Sequence, residues 1–145
     1  MLDEDLRMSP QAKMLSLAGE TWVYTASNNI DKKQSLVSSG AKMIKSPLSS
    51  ENHLQLRYIL KDLAKREMNE VHVEAGQTLT GALLQEGLVD ELIIYMAPTL
   101  MGSDARGLFN LPALKTMQDR IHLEIKDIRA IGRDWRIIAN PSKSA

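Results

Sequence analysis

Apolar positions along this chain recur with two different spacings, and the change from one to the other outlines its elements. Residues 120–128 alternate strictly, with Ile121, Leu123 and Ile125 on one face and His122, Glu124 and Lys126 on the other. That period of two predicts a half-buried antiparallel strand. Gly132-Arg133-Asp134 turns the chain, and Trp135-Arg136-Ile137-Ile138-Ala139 returns as its partner. Earlier, Leu56, Ile59, Leu60, Leu63 and Ala64 fall at i, i+3, i+4, i+7 and i+8, the period of a helix. We expect that helix over residues 52–68, capped by Ser49 or Ser50. Lys65 and Arg66 then lie in its last turn, and Asn69 takes the left-handed position that closes it.

The remaining pattern fills in around these. Thr21-Trp22-Val23-Tyr24-Thr25 is rich in strand formers, residues 30–37 predict a short helix and residues 41–44 a short strand. Residues 11–18 form at most two helical turns before Gly19. Val71-His72-Val73-Glu74 reads as a strand, Gly76 as a tight turn, and the segment from there to Gly87 as a helix. Leu92 to Ala97 is continuously apolar, which predicts a strand covered on both faces in a parallel sheet. A long loop with Gly102, Gly107 and Pro112 follows. Strand and helix thus alternate before a terminal hairpin. The pattern predicts a three-layer α/β/α domain with a mostly parallel sheet and an antiparallel C-terminal hairpin. One domain over residues 1–140 and a flexible tail over 141–145 complete the expectation.

Composition narrows the function classes. The 145 residues carry no cysteine, which excludes disulfides, thiolate metal sites and cysteine nucleophiles. Lys plus Arg and Asp plus Glu are 18 each, so a nucleic-acid partner is not expected, although a local patch can hold a small anion. No apolar run is long enough to cross a bilayer and no signal pattern opens the chain, so the expected location is cytoplasmic, away from membranes. His53, His72 and His122 lack metal-ligand spacing, and no metal is expected.

The chemistry concentrates in Glu74-Ala75-Gly76-Gln77-Thr78-Leu79-Thr80-Gly81-Ala82. A helix that begins after a strand presents unbonded N–H groups and a positive dipole end, which together attract an anion. Gly76 has no Cβ and allows close approach, and Glu74 sits where open α/β sheets place their ligands. The segment is neither a P-loop nor a Gly-x-Gly-x-x-Gly fingerprint, so a plain turn stays open beside a phosphate site. Gly81 reads more as a packing position, Thr78 as an N-cap compatible with phosphate contact, and Arg106 as an exposed loop cation. Trp135 reads as packing, across a subunit interface in a homodimer.

Three ordered motifs carry a resemblance: Glu74-Ala75-Gly76-x-Thr78-Leu79-x-Gly81-Ala82, then Gly87-Leu88-Val89-Asp90-Glu91-Leu92, then Pro98-x-Leu100-x-Gly102-Ser103-Asp104-Ala105. Together they resemble the reductase domain of the bifunctional riboflavin biosynthesis family, which has the dihydrofolate-reductase-like fold. The resemblance implies NADPH-dependent reduction of 5-amino-6-(5-phosphoribosylamino)uracil, a phosphorylated pyrimidine, to the ribitylamino compound. It implies cofactor binding by Gly76, Gln77, Thr78, Leu79, Thr80, Gly81 and Ala82, and substrate binding by Glu74; no catalytic residue is singled out. Departures accompany the match. The family's first strands, with their Ser-Leu-Asp-Gly segment and phosphate-holding basic residues, have no counterpart here, and neither has its zinc deaminase domain. We therefore expect a C-terminal piece of a longer enzyme. Glu4 also stands where the family has a cofactor-contacting serine, and an anion there is expected to repel phosphate. Two alternatives remain: a non-catalytic dimerisation or cofactor-binding module, and another α/β enzyme that binds a phosphorylated metabolite at the same turn.

Overall fold

The computed structural model describes residues 1–143, which divide into two compact units at the boundary between Glu70 and Val71. In the first unit β1 (Thr21–Thr25), α1 (Ile30–Ser38) and β2 (Ala41–Lys45) form a parallel crossover, with Thr21 opposite Ala41 and Thr25 opposite Lys45. Successive side chains of a strand point to opposite faces, and β1 uses this to serve two cores. Val23 packs with Leu6, Met8, Ala41 and Leu36 of α1. Its neighbour Tyr24 joins Leu54, just before α2 (Leu56–Lys65), and Ile59 within it, with Leu63 packed alongside. A helix thus covers each face of the β1–β2 pair.

The first residues, which show no clear propensity, run beside β1. Leu2 bridges Tyr24 in parallel, Asp3 N–H donates to Tyr24 O at 2.9 Å, and Tyr24 N–H donates to Met1 O at 2.9 Å. Asp3 is buried, and its carboxylate accepts the Arg7 and Met8 amides at 2.8 Å each. Glu4 has protein partners too. Its Oε2 accepts Leu54 N–H at 3.2 Å and lies 3.4 Å from His53 Nδ1, while its carbonyl accepts the Thr25 hydroxyl at 2.9 Å.

α2 is shorter than its apolar stripe suggests. Gln55, not Ser49 or Ser50, is its N-cap, and no side chain caps it. Residues 48–54 instead form a small loop in which Ser49 N–H donates to His53 O and Leu48 bridges Leu54. At the other end the left-handed residue is Glu67 (φ 64), not Asn69. Met68 N–H reaches back to Leu63 O at 3.1 Å, the long bond of a Schellman closure.

The second unit contains α3 (Gln77–Gln85), β3 (Leu92–Met96), β4 (Ile121–Ile131) and β5 (Asp134–Lys143). The three strands form an antiparallel sheet in the order β3-β5-β4. The expected parallel, doubly covered strand at 92–97 is corrected here: β3 pairs antiparallel with β5, and Ile93 and Tyr95 are exposed. Unbroken apolarity reflects side-chain content, not strand direction. The expected strand at 71–74 is also not formed, and Val71 and Val73 stand exposed. Two β-branched residues supply propensity, but a strand exists only with a ladder partner. The hairpin is as expected, though longer. Leu123 pairs with Pro141 and His122 with Ser142, so residues 141–143 belong to β5 and are no free tail. The rest of the expected tail lies outside the described residues. A register shift between Ile125 and Asp127 marks a β-bulge, which returns Ile128 to the face of Ile125. The chain is therefore mixed α/β, with its parallel component in β1–β2 and an antiparallel sheet after α3.

Candidate functional site

α3 is where the sequence places the site, and its start is open. The first N–H of a helix turn to find a carbonyl is that of Thr80, donating to Gly76 O at 3.2 Å. The amides of Gln77, Thr78 and Leu79 precede it, and no side chain caps the helix. Gly76, not Thr78, is the N-cap, which corrects the capping role expected of Thr78. The Gly76 backbone is extended (φ −79, ψ 169), a conformation open to any residue, and an added Cβ meets nothing within 4 Å. Neither backbone strain nor protein packing asks for glycine here. What the missing Cβ leaves is clear space beside unbonded donors at the positive end of a helix.

Gly81 is the opposite case. A Cβ there would lie 2.1 Å from the Asn110 carbonyl oxygen and 2.9 Å from its carbon. The loop after β3 thus runs against α3, and several bonds hold it. Asn110 N–H donates to Gln77 O at 2.9 Å, and Gln85 Nε2 donates to Asn110 O at 3.4 Å. The Thr80 hydroxyl has Gly76 O at 3.1 Å, Gln77 O at 3.3 Å and Leu108 O at 3.5 Å within reach. Gly107 brings its backbone next to the Gln77 amide oxygen. Gly81 is buried, as are Leu83 and Leu84 on the helix's core side, whereas Thr78 is exposed and Leu79 and Ala82 are half-buried.

Glu74 lies in the unpaired segment before the helix. Its side chain is 87% exposed, with His72 Nε2 3.4 Å from Oε1. The structure therefore gathers Gln77 to Ala82 on one helix with Gly76 as its N-cap, and leaves Glu74 three residues before the helix, with His72 beside its carboxylate. Arg106 is exposed in the loop, as the sequence suggests. Asn110 and Leu108 carry the loop contact, and nothing in their spacing marks them. Their only trace in sequence is Gly81 itself, a glycine in mid-helix that needs a packing reason. Among the described residues, no group of His, Asp and Glu side chains is arranged to hold a metal ion, and no helix is long and apolar enough to cross a membrane.

Comparison with known proteins bears on the chain as a whole. The family model described as RibD C-terminal domain matches residues 1–137. The chain is 40% identical over 136 residues to the riboflavin biosynthesis protein RibD of Escherichia coli (strain K12), covering 92% of this chain and 35% of that protein. It is 29% identical over 143 residues to the 5-amino-6-(5-phosphoribosylamino)uracil reductase of Buchnera aphidicola subsp. Acyrthosiphon pisum (strain APS), covering 99% of this chain and 67% of that one. Among solved structures, Acinetobacter baumannii RibD, form 2, superimposes with a TM-score of 0.82 at 31% identity, over 97% of this chain and 36% of that one. The chain spans about a third of the length of the Escherichia coli relative.

Proposed function

Because this chain belongs to the RibD C-terminal domain family, we propose that it is the cofactor-binding reductase portion of a riboflavin biosynthesis enzyme. Its reaction in this reading is the NADPH-dependent reduction of 5-amino-6-(5-phosphoribosylamino)uracil to the ribitylamino product; one relative is named a 5-amino-6-(5-phosphoribosylamino)uracil reductase. The observation that carries this reading is the open first turn of α3. Three amides with no helical acceptor follow a glycine whose missing Cβ would touch nothing. That is the chemistry a cofactor phosphate requires of a protein.

Gly76, Gln77, Thr78 and Leu79 bind the anion through backbone, and Thr80 and Ala82 complete the cofactor wall, with Gly81 packed behind it against Asn110. Glu74, whose exposed carboxylate has only His72 beside it, binds the substrate. NADPH supplies hydride when bound; the protein's part is to orient the reactants and balance their charge. The same reading puts the protein in the cytoplasm with a second copy as partner. The face of the second unit's sheet that carries Met96, Trp135, Ile128, Ile125 and Leu123 supports that partner, because all five are exposed apolar side chains sharing one side of the ladder.

Incubating the chain with NADPH and the phosphoribosylaminouracil, and following the ribitylamino product by mass, tests the reaction. Product that depends on both reactants supports it. NADPH binding without product supports the non-catalytic module instead, and stabilisation by other sugar phosphates but not NADPH supports a different metabolite at the same turn.

A further inference from the structure

We propose that residues 107–110 form a clasp that sets the first turn of α3 for its anion, with Gly81 as the positioning residue. The inference rests on the cofactor reading above and adds what holds the site in shape. The contact spans the helix. Asn110 binds the first turn through Gln77 O at 2.9 Å and the last residue of the helix through the Gln85 side chain at 3.4 Å. Between these points Gly81 lets the Asn110 carbonyl lie against the helix backbone, at a distance any side chain forbids.

The physical consequence concerns a part of the helix that cannot set itself. A first turn lacks the i to i−4 bonds that hold the rest, so its amides fray unless something outside the helix fixes them. No side chain caps α3. The clasp holds the turn from its carbonyl side, on Gln77 O, and so leaves the N–H side for the ligand. Donors fixed before the ligand arrives bind it without an ordering penalty at the moment of binding. A methyl group at residue 81 has to move Asn110 backbone rather than a flexible side-chain end. The Asn110–Gln77 bond is then broken, although residue 81 lies a full turn past the anion-facing amides.

The test compares the chain with Gly81→Ala and with Gln85→Ala, which cuts only the far bond of the clasp. NADPH affinity is measured by titration well below each variant's melting temperature, and amide exchange at Asn110 is read in parallel. We expect Gly81→Ala to weaken NADPH by about tenfold, the equivalent of about one lost hydrogen bond. Gln85→Ala is expected to weaken it by about twofold, in keeping with its longer bond. Asn110 protection falls in both. A purely structural role shifts melting but leaves the affinity of the folded fraction unchanged, and that outcome overturns the clasp while leaving the cofactor reading intact. If the unaltered chain fails to bind NADPH, the cofactor reading falls and the clasp falls with it. If Gly81→Ala does not fold, unchanged affinity in Gln85→Ala overturns the proposal and weakened affinity upholds it.

Discussion

Glycines at residues 76 and 81 stand five positions apart and do opposite things, which is visible only when each missing Cβ is placed against its neighbours. One faces clear space and the other faces backbone. Gly76→Ala should therefore leave the melting temperature within about a degree or two, the range of a surface change, while Gly81→Ala should lower stability by the ~1–3 kcal/mol typical of overpacking. Comparing the two melting curves checks this. In the first unit the residue to test is Tyr24. Its hydroxyl donates to Asp62 Oδ2 at 2.7 Å, and Arg66 Nε donates to the same oxygen at 2.7 Å. Burial, with the Asp62 carboxylate second, pushes the Tyr24 phenol up to about 12. The unfolded chain loses that proton near its usual 10, so stability present below pH 10 declines as pH rises toward 12. Alkaline titration of tyrosinate absorbance should show a late step near pH 12 that Tyr24→Phe removes, and a single early step would contradict the buried bond.

Where elements begin and end depends on bonds that propensity does not reveal. The apolar stripe of α2 is legible in sequence because burial follows the helical period: Leu56 and Ile59 are buried as expected. Its ends are not legible, because Ser49 is already engaged with the amides of Glu51 and His53, and because Met68 closes the helix onto Leu63. That closure forces Glu67 to φ 64, where a side chain is strained. Glu67→Gly should raise stability by up to about 1 kcal/mol in a denaturant melt, and a loss would show that Glu67 has a role beyond the turn. The β4–β5 turn provides the converse. Gly132 has φ 62 at the first central position of a two-residue loop, with open space around it. Gly132→Ala should cost about 1–2 kcal/mol through backbone strain alone, read by the same melts. The direction of β3 was not legible, since its five apolar residues suit a parallel or an antiparallel neighbour equally.

At the scale of the whole chain, two units carry separate burdens. The first has the two cores around β1, and the second has α3, its loop and the antiparallel sheet. The α/β class could be read from the alternation of strand and helix patterns along the chain, and the candidate helix from residues 76–87, because a glycine-led helix start is local chemistry. The exposed state of residues 71–74 could not, because strand formation depends on a partner elsewhere. The apolar side of the sheet predicts self-association. Sedimentation should show a dimer that Trp135→Glu weakens, and a strict monomer at high concentration would remove the second copy from the account. Most depends on α3. NADPH titrated into the chain and into Gly76→Val, across a range of salt concentrations, addresses it directly. Binding should weaken with salt in the parent chain and fall at least about tenfold in the variant, which remains folded. Equal affinity in the two, or none in the parent chain, would contradict it.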